Sequence, residues 1–173
     1  MRLLWLIIIL AIFTSCTSKE TKYKLSQIDS LSFRMEAVAD VYLELDTLRI
    51  DEIYQNIGRN IYLIDSLGIA DNKDLIYNYG ALNKGFKEFV KVRPYTIEEL
   101  KFCRQQLNDL SEDVENGLID DDFRLFLTHE ANASQSIRVQ MSYYHERINA
   151  FIEKYENLNP DIEQLIDSLL YQK

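Results

Sequence analysis

The chain has two histidines, His129 and His145, and imidazole is the side chain best suited to bind a metal or move a proton near neutral pH. They stand sixteen residues apart on one predicted helix. At about 100° per residue they point to nearly opposite faces, so they cannot share a metal ion within one chain. His129-Glu130 also lacks the second histidine four positions on that a zinc-protease helix requires. Cys103 falls on an apolar stripe with no histidine near it in sequence, which predicts a buried, inert thiol. The acidic stretch from Glu112 to Asp122 contains Gly117, as a calcium loop would. With Gly117 at the sixth loop position, Val114 and Phe123 occupy the third and twelfth, where oxygen ligands are required. Asp120, Asp121 and Asp122 fit better as charges at the positive end of a helix. No phosphate-binding glycine loop, serine elbow or spaced His–carboxylate pair is present. The expectation is therefore no catalytic residue, no metal ligand, no cofactor and no enzyme.

Eleven tyrosines raise the question of ligand or partner recognition. Tyr42, Tyr79, Tyr144 and Tyr155 fall on predicted core stripes, and packing accounts for them. Tyr77, Tyr143 and Tyr171 fall off the stripes and could join a partner surface. Four triplets recur: Asp29-Ser30-Leu31, Asp46-Thr47-Leu48, Asp65-Ser66-Leu67 and Asp167-Ser168-Leu169. An acid, a small polar residue and an aliphatic in a row suit any amphipathic helix. The triplet also resembles the acceptor of the O-glycosylation system of Bacteroidota envelope proteins, which implies glycan on Ser30, Thr47, Ser66 or Ser168. Asn132-Ala133-Ser134 matches the eukaryotic N-glycan signal. The longer Ile-Asp-Ser-Leu at 28, 64 and 166 has spacings of 36 and 102. These lie near one and three tetratricopeptide periods, but the small and aromatic positions of that repeat do not recur, and no solenoid is expected.

The first sixteen residues carry an address. Arg2 precedes Leu3 to Phe13, an unbroken apolar run of eleven residues. A bilayer-spanning helix needs roughly 20 apolar residues, whereas a run this short suits the core of a secretory signal peptide. Phe13-Thr14-Ser15-Cys16 follows. It resembles the lipobox of bacterial lipoproteins, with phenylalanine in place of the commoner leucine. The resemblance implies that residues 1–15 are removed and that Cys16 carries a diacylglycerol, with an acyl chain such as palmitate on its new amino group. Each buried methylene contributes about 0.8 kcal/mol, so two or three chains hold a protein far more firmly than one. Thr17 is not the aspartate that resembles an inner-membrane retention signal, which favours the outer membrane. Ser18-Lys19-Glu20 resembles, faintly, the acidic export tags of surface-exposed Bacteroidota lipoproteins, so the periplasmic and outer faces both stay open.

The bulk numbers exclude some partners. The 173 residues are 47% apolar and 27% charged, with two prolines and five glycines, a globular chain with too few breaks for many strands. Taking Arg2 from the 19 basic residues leaves 18 against 28 acids, a formal charge of −10 for the mature part. Such a chain is repelled by nucleic-acid backbones and anionic headgroups. No nucleic-acid partner is expected.

Apolar residues from Tyr23 onward are spaced three and four apart, which predicts an all-α fold. The first stripe runs from Leu25 through Ile28, Met35 and Tyr42 to Ile50, Ile57, Ile64 and Leu67, with weak points at Ser32 and Asp46. Gly68 stops it. The second stripe runs from Leu75 to Phe89 and ends at Arg93-Pro94. The third runs from Ile97 to Val114 behind a capping box of Thr96 and Glu99. The fourth follows Phe126, Glu130, Ala133, Ile137, Met141, Tyr144, Ile148 and Phe151 to Leu158. Asn159-Pro160 opens a short fifth helix. Short turns make neighbours antiparallel. The expected architecture is an antiparallel, up-down-up-down bundle of about four main helices, with a four-helix region of roughly 46–67, 72–92, 97–116 and 121–140. The start of helix one and the end of helix four extend as a paired stalk toward the membrane, with the fifth helix folded back on it. Residues 16–21 serve as tether and 22–173 as one helical domain.

The function expected is that of a non-catalytic envelope lipoprotein, a helical interaction or structural module that meets a protein partner or associates with itself. Charge at Val38 or Ile148 would break a stalk dimer. The alternative is a ligand- or peptide-binding lipoprotein, immunity- or inhibitor-like, with a cavity where Ala131, Ala133 and Ser134 thin the fourth stripe.

Overall fold

The three-and-four spacing becomes helix throughout. The computed structural model describes residues 18–68 and 72–171, and the described residues form four helices and no strand. These are α1 (Lys19–Leu43), α2 (Thr47–Leu67), α3 (Lys73–Glu115) and α4 (Phe123–Leu170). The chain is an all-α helical bundle, as its pattern predicts. Cys16, Ile69 and Asp71 lie outside the described residues.

Helix ends follow local chemistry. Ser18 starts α1: its Oγ accepts the Thr21 amide at 3.0 Å and its carbonyl accepts that of Lys22 at 3.1 Å. The helix therefore takes in Lys19 to Thr21, residues expected in the tether. Asp46 sits in extended conformation (φ −68°, ψ 92°) and its carboxylate accepts the Arg49 amide at 3.0 Å. It caps α2, so the weak point at Asp46 is a break, while Ser32 lies inside α1. Gly68 closes α2 with φ 67°, its N–H reaching the Ile64 and Asp65 carbonyls. Gly117, also at φ 67°, donates to Val114 O, and Leu118 donates to Asp113 O, a full Schellman end for α3.

Two expected helix ends are corrected. The helix does not stop at Arg93-Pro94: α3 runs through Pro94, and Thr96 is not a cap. The Thr96 hydroxyl instead donates back to Val92 O at 3.3 Å and accepts from Gln140 Nε2 at 2.9 Å. Likewise no separate C-terminal helix forms, because α4 runs through Pro160. Both prolines are exposed, while Phe89, Thr96 and Leu100 on one side, and Ile162 and Ile166 on the other, are buried. Burying the flanking apolar face outweighs a local cost of about 3 kcal/mol per proline. Pro94→Ala returns an N–H to the ladder and removes the ring clash. It is expected to stabilise the protein by about 1–3 kcal/mol. That raises the melting temperature by about 2–4 °C per kcal/mol in a chain of this size. A lower melting temperature would contradict the continuous helix.

The described residues fall into two compact units. The first joins α1 up to Glu36 with Lys101–Gln135, so α1 pairs with the last part of α3 and the opening of α4. There α1 and α3 run antiparallel: Glu36 meets Arg104 (Nε to Oε1 2.7 Å) and Lys24 meets Asp120 beyond the α3 end (2.7 Å). Ile28, Met35, Leu107, Leu110 and Phe123 fill its core. The second unit joins Ala37–Leu100 with the chain from Ser136 onward. There α2 opposes α3 and α3 opposes α4, around Tyr42, Ile57, Leu82, Phe86, Phe89, Met141 and Ile148. Consecutive segments thus alternate in direction within that second unit, but the four-helix region drawn from spacing is not one unit. The expected stalk is also corrected, because the start of the first helix and the end of the last belong to different units. The two long helices are α3 and α4, with 43 and 48 residues.

Candidate functional site

Most of the tyrosines lie where their spacing puts them. Tyr42 and Tyr79 are wholly buried and Tyr144 and Tyr155 half-buried, while Tyr77, Tyr143 and Tyr171 are exposed. Cys103 is buried on the α3 stripe. His129 is exposed and His145 half-buried, with its Nε2 at 3.1 Å from the Asn149 amide. The fourth stripe is out of phase at its start: Phe126 and Ala133 face solvent, and Phe123 and Ser134 are the buried residues. Glu130 is half-buried, and burial pushes its carboxyl up. Ile148, where added charge is expected to break a stalk dimer, is buried at 1% exposure and belongs to the core; Val38 is half-buried.

The triplet residues have a simple geometry. Ile28, Ile64 and Ile166 are buried, and Asp29-Ser30, Asp65-Ser66 and Asp167-Ser168 behind them are exposed. Ser66 Oγ bonds Tyr62 O at 2.7 Å and Ser168 Oγ bonds Leu165 O at 2.8 Å, while Thr47 opens α2 half-buried behind its Asp46 cap. Amphipathic helix accounts for the repeat, and the hydroxyls of Ser30, Ser66 and Ser168 lie on the exposed side.

The first unit has a trough between α1 and α4. One cleft of about 490 Å³ is lined by Glu20, Tyr23, Lys24, Gln27, Asp120, Asp121, Phe123, Arg124 and Leu127. A second, of about 310 Å³, is lined by Ser26, Gln27, Ser30, Leu31, Arg34, Leu127 and Ala131. They share Gln27 and Leu127 and make one open channel. Of the three residues expected to thin α4, Ala131 lines it, Ala133 is turned to solvent and Ser134 is buried. Lys24 spans the upper cleft, 2.7 Å from Asp120 and 3.1 Å from Glu20, its Nζ 5.6 Å from the Phe123 ring centroid. The hydrogen bond to Asp120, then that to Glu20, raises the Lys24 pKa, and Lys24 lowers that of Asp120. The acidic stretch after Gly117 is thus partly spent on an ion pair.

The second unit buries a polar network that spacing did not reveal. Asn60 Nδ2 donates to Tyr79 Oη (3.1 Å) and Asn159 Oδ1 (3.2 Å), and Tyr79 Oη donates to Asn159 Oδ1 (2.6 Å). Asn159 Nδ2 reaches Glu163 at 2.8 Å, and Asn56 Nδ2 reaches Tyr155 Oη at 2.9 Å. The signal was present in sequence: Asn60 interrupts the apolar run of Ile57, Ile61 and Ile64. The network joins α2, α3 and α4.

No family model, curated protein or solved structure matches the chain. Among the described residues, no helix is long and apolar enough to cross a membrane.

Proposed function

We propose that the protein is a non-catalytic envelope lipoprotein, fastened to the outer membrane through lipid on Cys16, whose helical region serves as an interaction or structural module. The observation that carries this is the order Arg2, Leu3–Phe13, Phe13-Thr14-Ser15-Cys16, with the first described helix opening three residues after the cysteine. Large exposed aromatics, Phe33, Tyr77 and Phe102 among them, support the interaction role. Fractionation of cells producing the full chain tests it: wild type sediments with outer membranes and Cys16→Ser does not. Equal distribution of the two would overturn the anchor.

The trough supports a second reading, a lipoprotein that holds a peptide or small ligand. Its volume falls in the range of ligand sites, about 300–1,000 Å³. Ala131→Trp would fill its lower part, and unchanged capture of envelope proteins by that variant would remove this reading.

A further inference from the structure

Helix α1 carries two stripes. Its buried face is centred on Ile28 and Met35. At about 100° per residue, Tyr23, Ser26, Ser30 and Phe33 all lie within about 40° of the direction opposite Ile28. All four are exposed, Tyr23 at 64% and Phe33 at 75%. Their spacing of three, four and three is that of a coiled-coil seam, with Tyr23 and Ser30 at a and Ser26 and Phe33 at d. The Ser26 hydroxyl is satisfied by Tyr23 O at 2.8 Å, so it presents a small surface with its polar group already paired. The seam borders the trough, which Ser26, Ser30 and Ala131 keep shallow-walled.

We propose that this face of α1 is the contact between two copies of the chain, paired in parallel. Two features choose that occupant. In the heptad frame Asp29 falls at g and Arg34 at the following e, positions that set partner and orientation in coiled coils. Neither makes an ion pair among the described residues. In a parallel pair Asp29 of one copy meets Arg34 of the other, twice by symmetry. An antiparallel pair would set Asp29 against Asp29. The second feature is where the chain outside the structure leads. Cys16 stands two residues before Ser18, so copies held in one bilayer present α1 with their N-termini on the same side. This alignment rests on the lipid anchor proposed above.

The test uses the full chain in isolated membranes. Ser30→Cys under copper-phenanthroline oxidation is expected to give a reducible homodimer at least ten-fold more abundant than Gln105→Cys, an exposed α3 position of the same unit. Asp29→Arg should reduce the dimer at least five-fold, and Asp29→Arg with Arg34→Asp should restore it. Equal cross-linking of the two cysteines, no dimer at Ser30→Cys, an adduct with a different protein, or no response to the charge swap each overturns the pairing. Cys16→Ser separates the two readings. If it leaves the protein in membranes the anchor fails, while the cross-linking result still decides the contact.

Discussion

Gly85→Ala is expected to destabilise the protein, although the same change at Gly58 or Gly80 is expected to stabilise it. All three glycines lie inside helices, where alanine is favoured by about 1 kcal/mol. At Gly58 and Gly80 a Cβ would meet nothing within 4 Å, so the gain stands. At Gly85 it would lie 2.6 and 2.8 Å from Cζ and Cδ2 of Phe151, and closer still to Cε2. The ring is held there by Phe86, at 5.9 Å between centroids, and by the Arg147 guanidinium, 5.2 Å from its own centroid. To make room Phe151 must rotate outward or α3 and α4 must part, at about 1–3 kcal/mol or more. Gly85→Ala should therefore lose up to about 2 kcal/mol net, and Gly85→Val more. In a Phe151→Ala background the penalty should vanish and the helix gain return. A cycle measured by urea unfolding should give a coupling of at least about 1 kcal/mol. Stabilisation by Gly85→Ala in the otherwise unchanged chain would contradict the close approach.

Alkaline pH should unfold the second unit early, and Tyr79→Phe should flatten that dependence. Burial, opposed in part by the Asn60 hydrogen bond, pushes the Tyr79 hydroxyl up to about 12. In the unfolded chain it ionises near 10. The neutral phenol is the form the native state holds, so its contribution is fully present below about pH 10 and is lost as pH rises toward 12. Two pH units correspond to roughly 2–3 kcal/mol. Desolvation shifts Tyr42, Tyr144 and Tyr155 in the same direction. Tyr79→Phe removes the donor to Asn159 and the acceptor for Asn60, and should cost about 1–3 kcal/mol at pH 8. Its stability should then fall less steeply than that of the unchanged chain between pH 10 and 12. Parallel curves would show that Tyr79 is not the group that titrates.

Much of the helical core was legible because burial and spacing obey one rule. Ile50, Ile53, Ile57 and Ile64 are buried where their period puts them, as are Tyr79, Leu82, Phe86 and Phe89. Helix ends were legible where a single residue decides them, as at Asp46 and Gly68. They were misread where tertiary packing overrides a local signal. Pro94 and Pro160 read as stops, yet each faces outward from a helix whose opposite side is buried on both sides of the proline. The start of α4 was misread by phase, since Phe126 drew the stripe that Phe123 in fact begins. The assignment of segments to units followed from those errors, because helices cut at Pro94 and Pro160 pair differently from helices that run through. Of the candidate surfaces, the aromatic seam on α1 was hidden by the stronger stripe behind it, as Ile28 and Met35 dominate any single-face reading of that helix.

The proposed anchor holds a helical protein to a bilayer through one sulfur. Intact-mass measurement of the mature protein, extracted from membranes of cells producing the full chain, tests it most directly. The predicted result is a chain beginning at Cys16, heavier than its residues by a diacylglycerol and an amide-linked acyl chain, with Cys16→Ser giving no such species. A mass equal to the unmodified chain with Leu3–Phe13 still attached would contradict it.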